Sequence, residues 1–167
     1  TEGPDFFVGD AGDNTFYLLG GNDRAEGRAG NDAIDGGDGS DTLWGEAGND
    51  TLDGGAGDGA RDNFEGGPGD DTYVFGIGDG NDSLNDNFHV GNDRVLLRAG
   101  LTPDNISFRR NGEHLVVVTP EGDTLDVSPW FQDPSTIDRF EFADGTVWTE
   151  NDILARQPGA TEGHDQL

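Results

Sequence analysis

The sequence predicts an all-β fold: a stack of short strands joined by glycine-rich turns, closed at its C-terminal end by antiparallel strands. Three observations predict it. Aspartates recur on a nine-residue grid through the first half, an apolar residue follows each of them by two places, and 23 of the 29 glycines fall within residues 1–93. The 167 residues carry 35 acidic side chains against nine arginines and no lysine, a formal net charge of −26. Leu, Ile, Val and Phe make up about 22 % of the chain. So much charge on so little apolar surface opposes compaction until it is neutralised, and a divalent cation is the obvious agent. The same charge repels phosphate, which argues against nucleic acid as a partner. No apolar run is long enough to span a bilayer as a helix. Zero cysteines exclude a disulfide framework and thiolate metal sites.

The two halves differ. Residues 1–93 have a net charge of −19 and only about 17 % Leu, Ile, Val and Phe, too little for an ordinary core. Residues 94–167 have a net charge of −7 and about 27 %, enough to build one. The predicted organisation is a repeat unit at 1–93, an antiparallel capping segment at 94–157, and a linker at 158–167.

Within the first half, Asp5, Asp23, Asp32, Asp41 and Asp50 lie on the grid, and Asn14 fills its missing step. An insertion near Gly59 shifts the frame, which resumes at Asp62 and Asp71; Asp82 and Asp93 follow at spacings of eleven. The apolar positions are Phe7, Phe16, Ala25, Ile34, Leu43, Leu52, Phe64, Tyr73, Leu84 and Val95. Glycine reaches positive φ at little cost, so each glycine-rich stretch makes a turn and the residues after the Asp make a short strand with one buried side chain. Successive units run back and forth, so units n and n+2 stack, 18 residues apart. Stacking brings carboxylates and backbone carbonyls together. A cage of hard oxygens suits Ca²⁺, whereas Mg²⁺ keeps several waters. His89, His114 and His164 all lie off the grid, which argues against zinc.

Units such as Gly36-Gly37-Asp38-Gly39-Ser40-Asp41-Thr42-Leu43-Trp44 resemble the calcium-binding nonapeptide repeats of RTX proteins. The resemblance covers about residues 1–95. It implies a right-handed parallel β-roll binding several Ca²⁺ ions, about four to eight, between stacked turns. Carried onto this chain, it implies one site at Leu19, Gly21 and Asp23 with Gly36, Asp38 and Asp41. A second is Arg28, Gly30 and Asp32 with Gly45, Ala47 and Asp50. A third is Gly37, Gly39 and Asp41 with Gly54, Ala56 and Asp62. A fourth is Glu46, Gly48 and Asp50 with Gly66, Pro68 and Asp71. Asp5 with Asp23, Asn14 with Asp32, Asp62 with Asp82, and Asp71 with Asp93 extend the series. Asp35, Asp53, Asp58 and Asp70 read as surface charge.

The second half reads as antiparallel strands at 94–98, 105–110, 114–119, 124–128, 137–142 and 146–149. Asn111-Gly112 and Asp144-Gly145 are hairpin signals, and Pro120-Glu121-Gly122 is a turn. Glu150–Arg156 reads as a short helix stopped before Pro158. Trp130, Phe131, Phe140, Phe142 and Trp148 supply an aromatic core. Residues 71–150 resemble the flanking segments that follow repeat blocks in the adenylate cyclase toxin/haemolysin members of the family. A stack of strands has open ends, so a cap is expected. Thr161-Glu162-Gly163-His164-Asp165 echoes Thr1-Glu2-Gly3-Pro4-Asp5, which suggests one block of a tandem array.

No spacing signal for a Ser-His-Asp nucleophile, phosphate loop or paired catalytic acid is present, so no catalytic residue is expected. Asp133-Pro134 reads as a turn. The resemblance implies a calcium-induced folding block of a large secreted bacterial protein, a toxin or an adhesin. Its partners would be Ca²⁺, neighbouring RTX blocks of the parent chain and the type I secretion apparatus, with a host receptor or glycan as a further candidate. It would act outside the cell or at its surface. The alternative is a spacer or glycan-binding module, of an adhesin or of a polysaccharide-modifying enzyme, using exposed Trp44 or Trp148.

Overall fold

A computed structural model describes residues 3–86, 90–131 and 137–156. His89, the Asp133-Pro134 dipeptide, the linker 158–167 with His164, and the C-terminal echo lie outside the described residues.

The repeats fold into a parallel β-roll of two facing sheets. Its first strands are β1 (Phe6–Val8), β2 (Thr15–Tyr17), β3 (Arg24–Ala29), β4 (Ala33–Asp35), β5 (Thr42–Ala47), β6 (Thr51–Asp53), β7 (Asn63–Glu65), β8 (Thr72–Phe75), β9 (Asn81–Leu84) and β10 (Arg94–Leu97). Odd strands up to β9 build one sheet and even strands the other, all in parallel pairs. The register follows the grid: Ala25 lies beside Leu43, Ile34 beside Leu52, Leu52 beside Tyr73, and Tyr73 beside Val95. These side chains are fully or almost fully buried and form the thin core between the sheets.

The turns explain the glycines. A Cβ on Gly39 would lie 1.6 Å from the Gly21 carbonyl oxygen, and one on Gly48 would lie 1.7 Å from that of Gly30. Turns stack backbone on backbone, so no side chain fits there. Leu19, Arg28 and Glu46 have φ of 77°, 79° and 70°, in the turn place that Gly37 and Gly67 hold with φ of 86° and 96°. Such left-handed non-glycine residues cost on the order of 1–2 kcal/mol each, which the stacked neighbours must offset.

The C-terminal half adds β11 (Ser107–Asn111), β12 (His114–Val118), β13 (Thr124–Val127), β14 (Arg139–Phe142), β15 (Val147–Thr149) and helix α1 (Glu150–Arg156). The expected antiparallel pairs are present, β11 with β12, β12 with β13 and β14 with β15. One expectation is corrected. Arg94–Leu97 does not begin the antiparallel segment: β10 runs parallel to both β8 and β14. The reason lies in the Asp-x-apolar frame, which continues through Asp93-Arg94-Val95 and recurs at Asp138-Arg139-Phe140; Val95 and Phe140 are register partners. β13 likewise joins β9 in parallel. The cap is therefore grafted onto both sheets of the roll. Glu141 fastens one graft, accepting hydrogen bonds from Arg94 Nη1 at 3.0 Å and Arg139 Nε at 2.7 Å.

Trp130, the largest fully buried side chain, packs on Phe140 at 5.9 Å, and Phe108 meets both Phe140 and Trp148. Trp148 is only 4 % exposed, so it belongs to the expected aromatic core and not to the exposed surface that the glycan-binding alternative required. Among the described residues no helix is long and apolar enough to cross a membrane.

Candidate metal centre

The grid aspartates form two ladders, one at each corner of the roll. In each ladder the backbone N–H of one residue donates to the side chain of the next, to Oδ1 at every step except the one from Asp93, which goes to Asp138 Oδ2. One ladder runs Asp5, Asp23, Asp41, Asp62, Asp82, at 2.7–2.9 Å per step. The other runs Asn14, Asp32, Asp50, Asp71, Asp93, Asp138, at 2.7–2.8 Å. The irregular spacings toward Asp62, Asp71, Asp82 and Asp93 are absorbed in longer turns, and the ladders continue without a gap.

The other carboxylate oxygen is the chemically loaded one. Oδ2 of Asp23, Asp32, Asp41, Asp50, Asp71 and Asp93 is buried with no hydrogen-bond partner among the described residues. A buried carboxylate oxygen without a partner is costly unless a cation meets it. Glycine leaves room at this spot. A Cβ on Gly36 would sit 2.4 Å from Asp41 Oδ2 and 2.8 Å from the Gly54 carbonyl oxygen. One on Gly27 would sit 2.3 Å from Asp32 Oδ2 and 2.7 Å from the Gly45 carbonyl oxygen. Gly45, Gly54 and Gly66 likewise leave space beside Oδ2 of Asp50, Asp62 and Asp71, 2.2 Å from each added Cβ. Carboxylate and carbonyl oxygens converging on small clefts are the donor set of a hard divalent ion.

The remaining expected carbonyl ligands line the same stacked turns. The Leu19 carbonyl accepts from Asp38 N, the Asp38 carbonyl from Gly21 N, the Ala47 carbonyl from Gly30 N, and the Pro68 carbonyl from Gly48 N. Each retains a second lone pair. An added Cβ would strike the Leu19 carbonyl from Gly37, the Glu46 carbonyl from Gly67, and the Gly37 carbonyl from Gly55, beside Ala56. Arg28 pairs with Glu46 across β3 and β5. The four expected sites thus each fall between two turns that do stack.

Burial pushes the ladder carboxyl groups up: Asp41 and Asp50 to about 6, Asp82 and Asp93 to about 7, Asp62 and Asp71 to about 8. Lost hydration is the largest cause at each. Neighbouring carboxylates add to it, while the backbone N–H on Oδ1 opposes it. The folded values lie above the unfolded one, so the metal-free fold holds extra protons. Its stability is greatest below about pH 4 and is lost as pH rises through about 6 to 8. Calcium must displace those protons, so its binding weakens as pH falls. Because the metal-free chain at neutral pH is expected to be unfolded and its carboxyls there ionise near 3.8, a calcium titration followed by circular dichroism should show a midpoint several-fold higher at about pH 4 than at about pH 7. A midpoint independent of pH would mean the ladder carboxyls are not the ligands.

Sequence reasoning missed a further ladder, formed by the residues that precede Asn14, Asp32, Asp50, Asp71 and Asp93. Asn31 N donates to Asp13 Oδ1, Asn49 N to Asn31 Oδ1, Asp70 N to Asn49 Oδ1, and Asn92 N to Asp70 Oδ1. The available signal was the Asn, Asp or Ser that precedes almost every grid Asp. Asp70 is thus structural, and Asp58 takes the Gly39 N–H. Asp53 and Asp79 are both held by Arg98. Also missed was Asp86, fully buried, which joins Asp71 and Asp93 in one group of carboxylates within 4.8 Å.

His114, off the aspartate grid, stands between Asp126 and Ser128. Its Nδ1 lies 2.7 Å from Asp126 Oδ1, and its Nε2 lies 3.2 Å from Ser128 Oγ. Register makes the constellation, since β12 and β13 set these residues side by side. An acyl-transfer site also needs oxyanion donors. Here Ser128 N donates to the Leu84 carbonyl, Pro129 has no N–H, and Trp130 N and Phe131 N both donate to the Glu113 carbonyl. Among the described residues from Ser128 to Phe131, no backbone donor is left over. Turnover of p-nitrophenyl acetate should match buffer, with no change in Ser128→Ala; Ser128-dependent turnover would overturn this.

Stacked turns that aim carboxylate oxygens into glycine-walled clefts define a repeat protein built for hard divalent cations. Residues 1–34 and 26–60 match the family model of the RTX calcium-binding nonapeptide repeat (4 copies). Residues 114–152 match the haemolysin-type calcium binding protein related domain. No curated protein matches the chain. The chain is an RTX calcium-binding repeat block, a calcium-binding module of the RTX proteins.

Proposed function

We propose that this block is a calcium-responsive folding module of a secreted bacterial protein, a toxin or an adhesin. The observation that carries the proposal is the pair of aspartate ladders with buried, unpartnered Oδ2 atoms. Without calcium those carboxylates repel one another; with it they become the links between turns. Residues 1–93 are the calcium-responsive part, with about four to eight ions held at the ladder sites, and 94–157 are the cap. A chain held unfolded at cytosolic calcium suits passage through a type I secretion channel, with folding outside the cell. The glycan-binding alternative loses support from the geometry: Trp148 is core, and Arg24 stacks over the Trp44 ring at 3.9 Å.

The test separates ladder residues from bystanders. Asp41 and Asp50 each join two stacked pairs, so Asp41→Ala and Asp50→Ala should raise the calcium midpoint by about tenfold, as loss of a charged ligand does. Asp53 and Asp126 make poor controls, because Arg98 and His114 hold them. Exposed Asp104 and Glu121 are better, and Asp104→Asn and Glu121→Gln should leave the midpoint in place. Equal shifts in all four variants would reduce the response to bulk charge screening.

A further inference from the structure

The two sheets end together at the cap. β11 is the last strand of one and β15 the last of the other, and Phe108 on β11 meets Trp148 on β15 with 5.5 Å between ring centroids. A groove of about 550 Å³ opens over this contact. Its floor is Ile106, Phe108 and Trp148, each at most 8 % exposed, and its rim is the exposed Asp104, Arg109 and Arg156. The Arg156 guanidinium lies over the Trp148 ring, 4.1 Å from its centroid, and Nη1 donates to the Asp152 carbonyl at 2.8 Å. Nη1 also lies 3.8 Å from Asp152 Oδ1, an exposed pair that water screens. Two guanidiniums against one carboxylate make this lining positive in a chain of net charge −26. No ladder aspartate lines the groove, and its size is that of clefts that hold a ligand.

We infer that residues 157–167 of the same chain fold back into this groove, with Glu162 and Asp165 facing Arg109 and Arg156 and Leu167 covering the ring floor. Three features single out this occupant. The first is position: the segment starts at Arg156, which is itself part of the rim, and its eleven residues reach up to about 36 Å when extended. The second is direction. Gln157-Pro158-Gly159 follows α1 at once, and Pro-Gly is a turn signal that sends the chain back toward β15 and not onward. The third is charge: the segment carries Glu162 and Asp165 and no arginine, the complement of the rim. Exposed ion pairs are weak one by one, but a tethered segment acts at an effective concentration in the millimolar range, so weak contacts suffice and salt loosens them. Docked there, the segment shields the ends of both sheets, where open strand edges otherwise invite pairing with another chain.

The chain has no cysteine, so Gln166→Cys gives a single place for a nitroxide label. In saturating Ca²⁺ and low salt, the label on the ¹⁵N-labelled whole chain should erase the amide signals of Phe108, Arg109 and Trp148 and spare those of β1 and β2. The tether alone brings the label near α1, so charge variants decide. Glu162→Gln with Asp165→Asn should restore the Phe108 and Arg109 signals at least twofold, and so should Arg109→Gln with Arg156→Gln; Glu121→Gln should restore nothing. The first pair changes only the segment itself, so it decides even where the arginine pair disturbs the cap. Equal broadening with and without the charge substitutions would overturn the docking. Mixing nitroxide-bearing chains with label-free ¹⁵N chains should leave the ¹⁵N signals intact; their loss would overturn the inference by giving the groove to a second copy.

Discussion

In excess chelator at neutral pH the chain should give a circular dichroism spectrum with little β structure, and millimolar Ca²⁺ should convert it to a compact, β-rich form. Equal Mg²⁺ should not. The opposing terms can be placed in order. Residues 1–93 bury few apolar side chains, at most two on any strand, with Ala25 and Leu43 among them, and carry a net charge of −19. Against this, six sites with Kd on the order of 10⁻⁴ M at about millimolar Ca²⁺ contribute roughly 1.4 kcal/mol each, or about 8 kcal/mol together. That is comparable with the whole stability of an ordinary domain, and it vanishes at sub-micromolar calcium. Magnesium fails because the clefts are lined by dry carbonyl and carboxylate oxygens, and Mg²⁺ gives up its waters reluctantly. A metal-free chain at neutral pH with full β signal and native compactness would refute the calcium switch.

The second large effect concerns the cap. Truncation after Arg98 should abolish calcium-induced folding or push its midpoint far upward, although every ladder aspartate except Asp138 remains. The cut strips β13 from β9 and β14 from β10, leaving both sheets with bare edges. It also removes the aromatic cluster of Phe108, Trp130, Phe140, Phe142 and Trp148, the largest group of touching rings among the described residues. A roll whose turns touch only their neighbours is nearly one-dimensional, so starting it costs more than extending it. Each calcium site needs two turns already stacked, so calcium alone starts it poorly. The cap supplies preformed edges, and folding should proceed from the C-terminal side toward Asp5. Trp130→Ala should act in the same direction, destabilising by about 3–5 kcal/mol through the cavity it leaves. Folding of a 1–98 fragment at the same calcium midpoint as the whole chain would show that the cap plays no part in nucleation.

The nine-residue grid determined a great deal. A turn-strand period with one apolar side chain fixes which residues face inward, and a pairing distance of two units follows once strands alternate between sheets. Asp23 over Asp41 and Asp32 over Asp50 were legible for that reason, as were Ile34 beside Leu52 and Leu43 beside Phe64. The hairpin residues of the second half and the bounds of α1 were legible too, because turn chemistry is local.

What the sequence left open depends on contacts between distant segments. The parallel graft of β10 onto β14 joins residues 45 apart across the three intervening strands, and no local propensity encodes it. Ser128, His114 and Asp126 meet only because β12 and β13 choose one register; a slip of one residue would send alternate side chains to the other face. Trp148 reads as exposed or buried with equal ease until β15 folds back on β14. Asp86 comes to lie fully buried beside Asp71 and Asp93, with the Tyr73 hydroxyl donating to its Oδ2, only when the two sheets assemble; such burial is a property of the assembled fold that residue spacing does not carry.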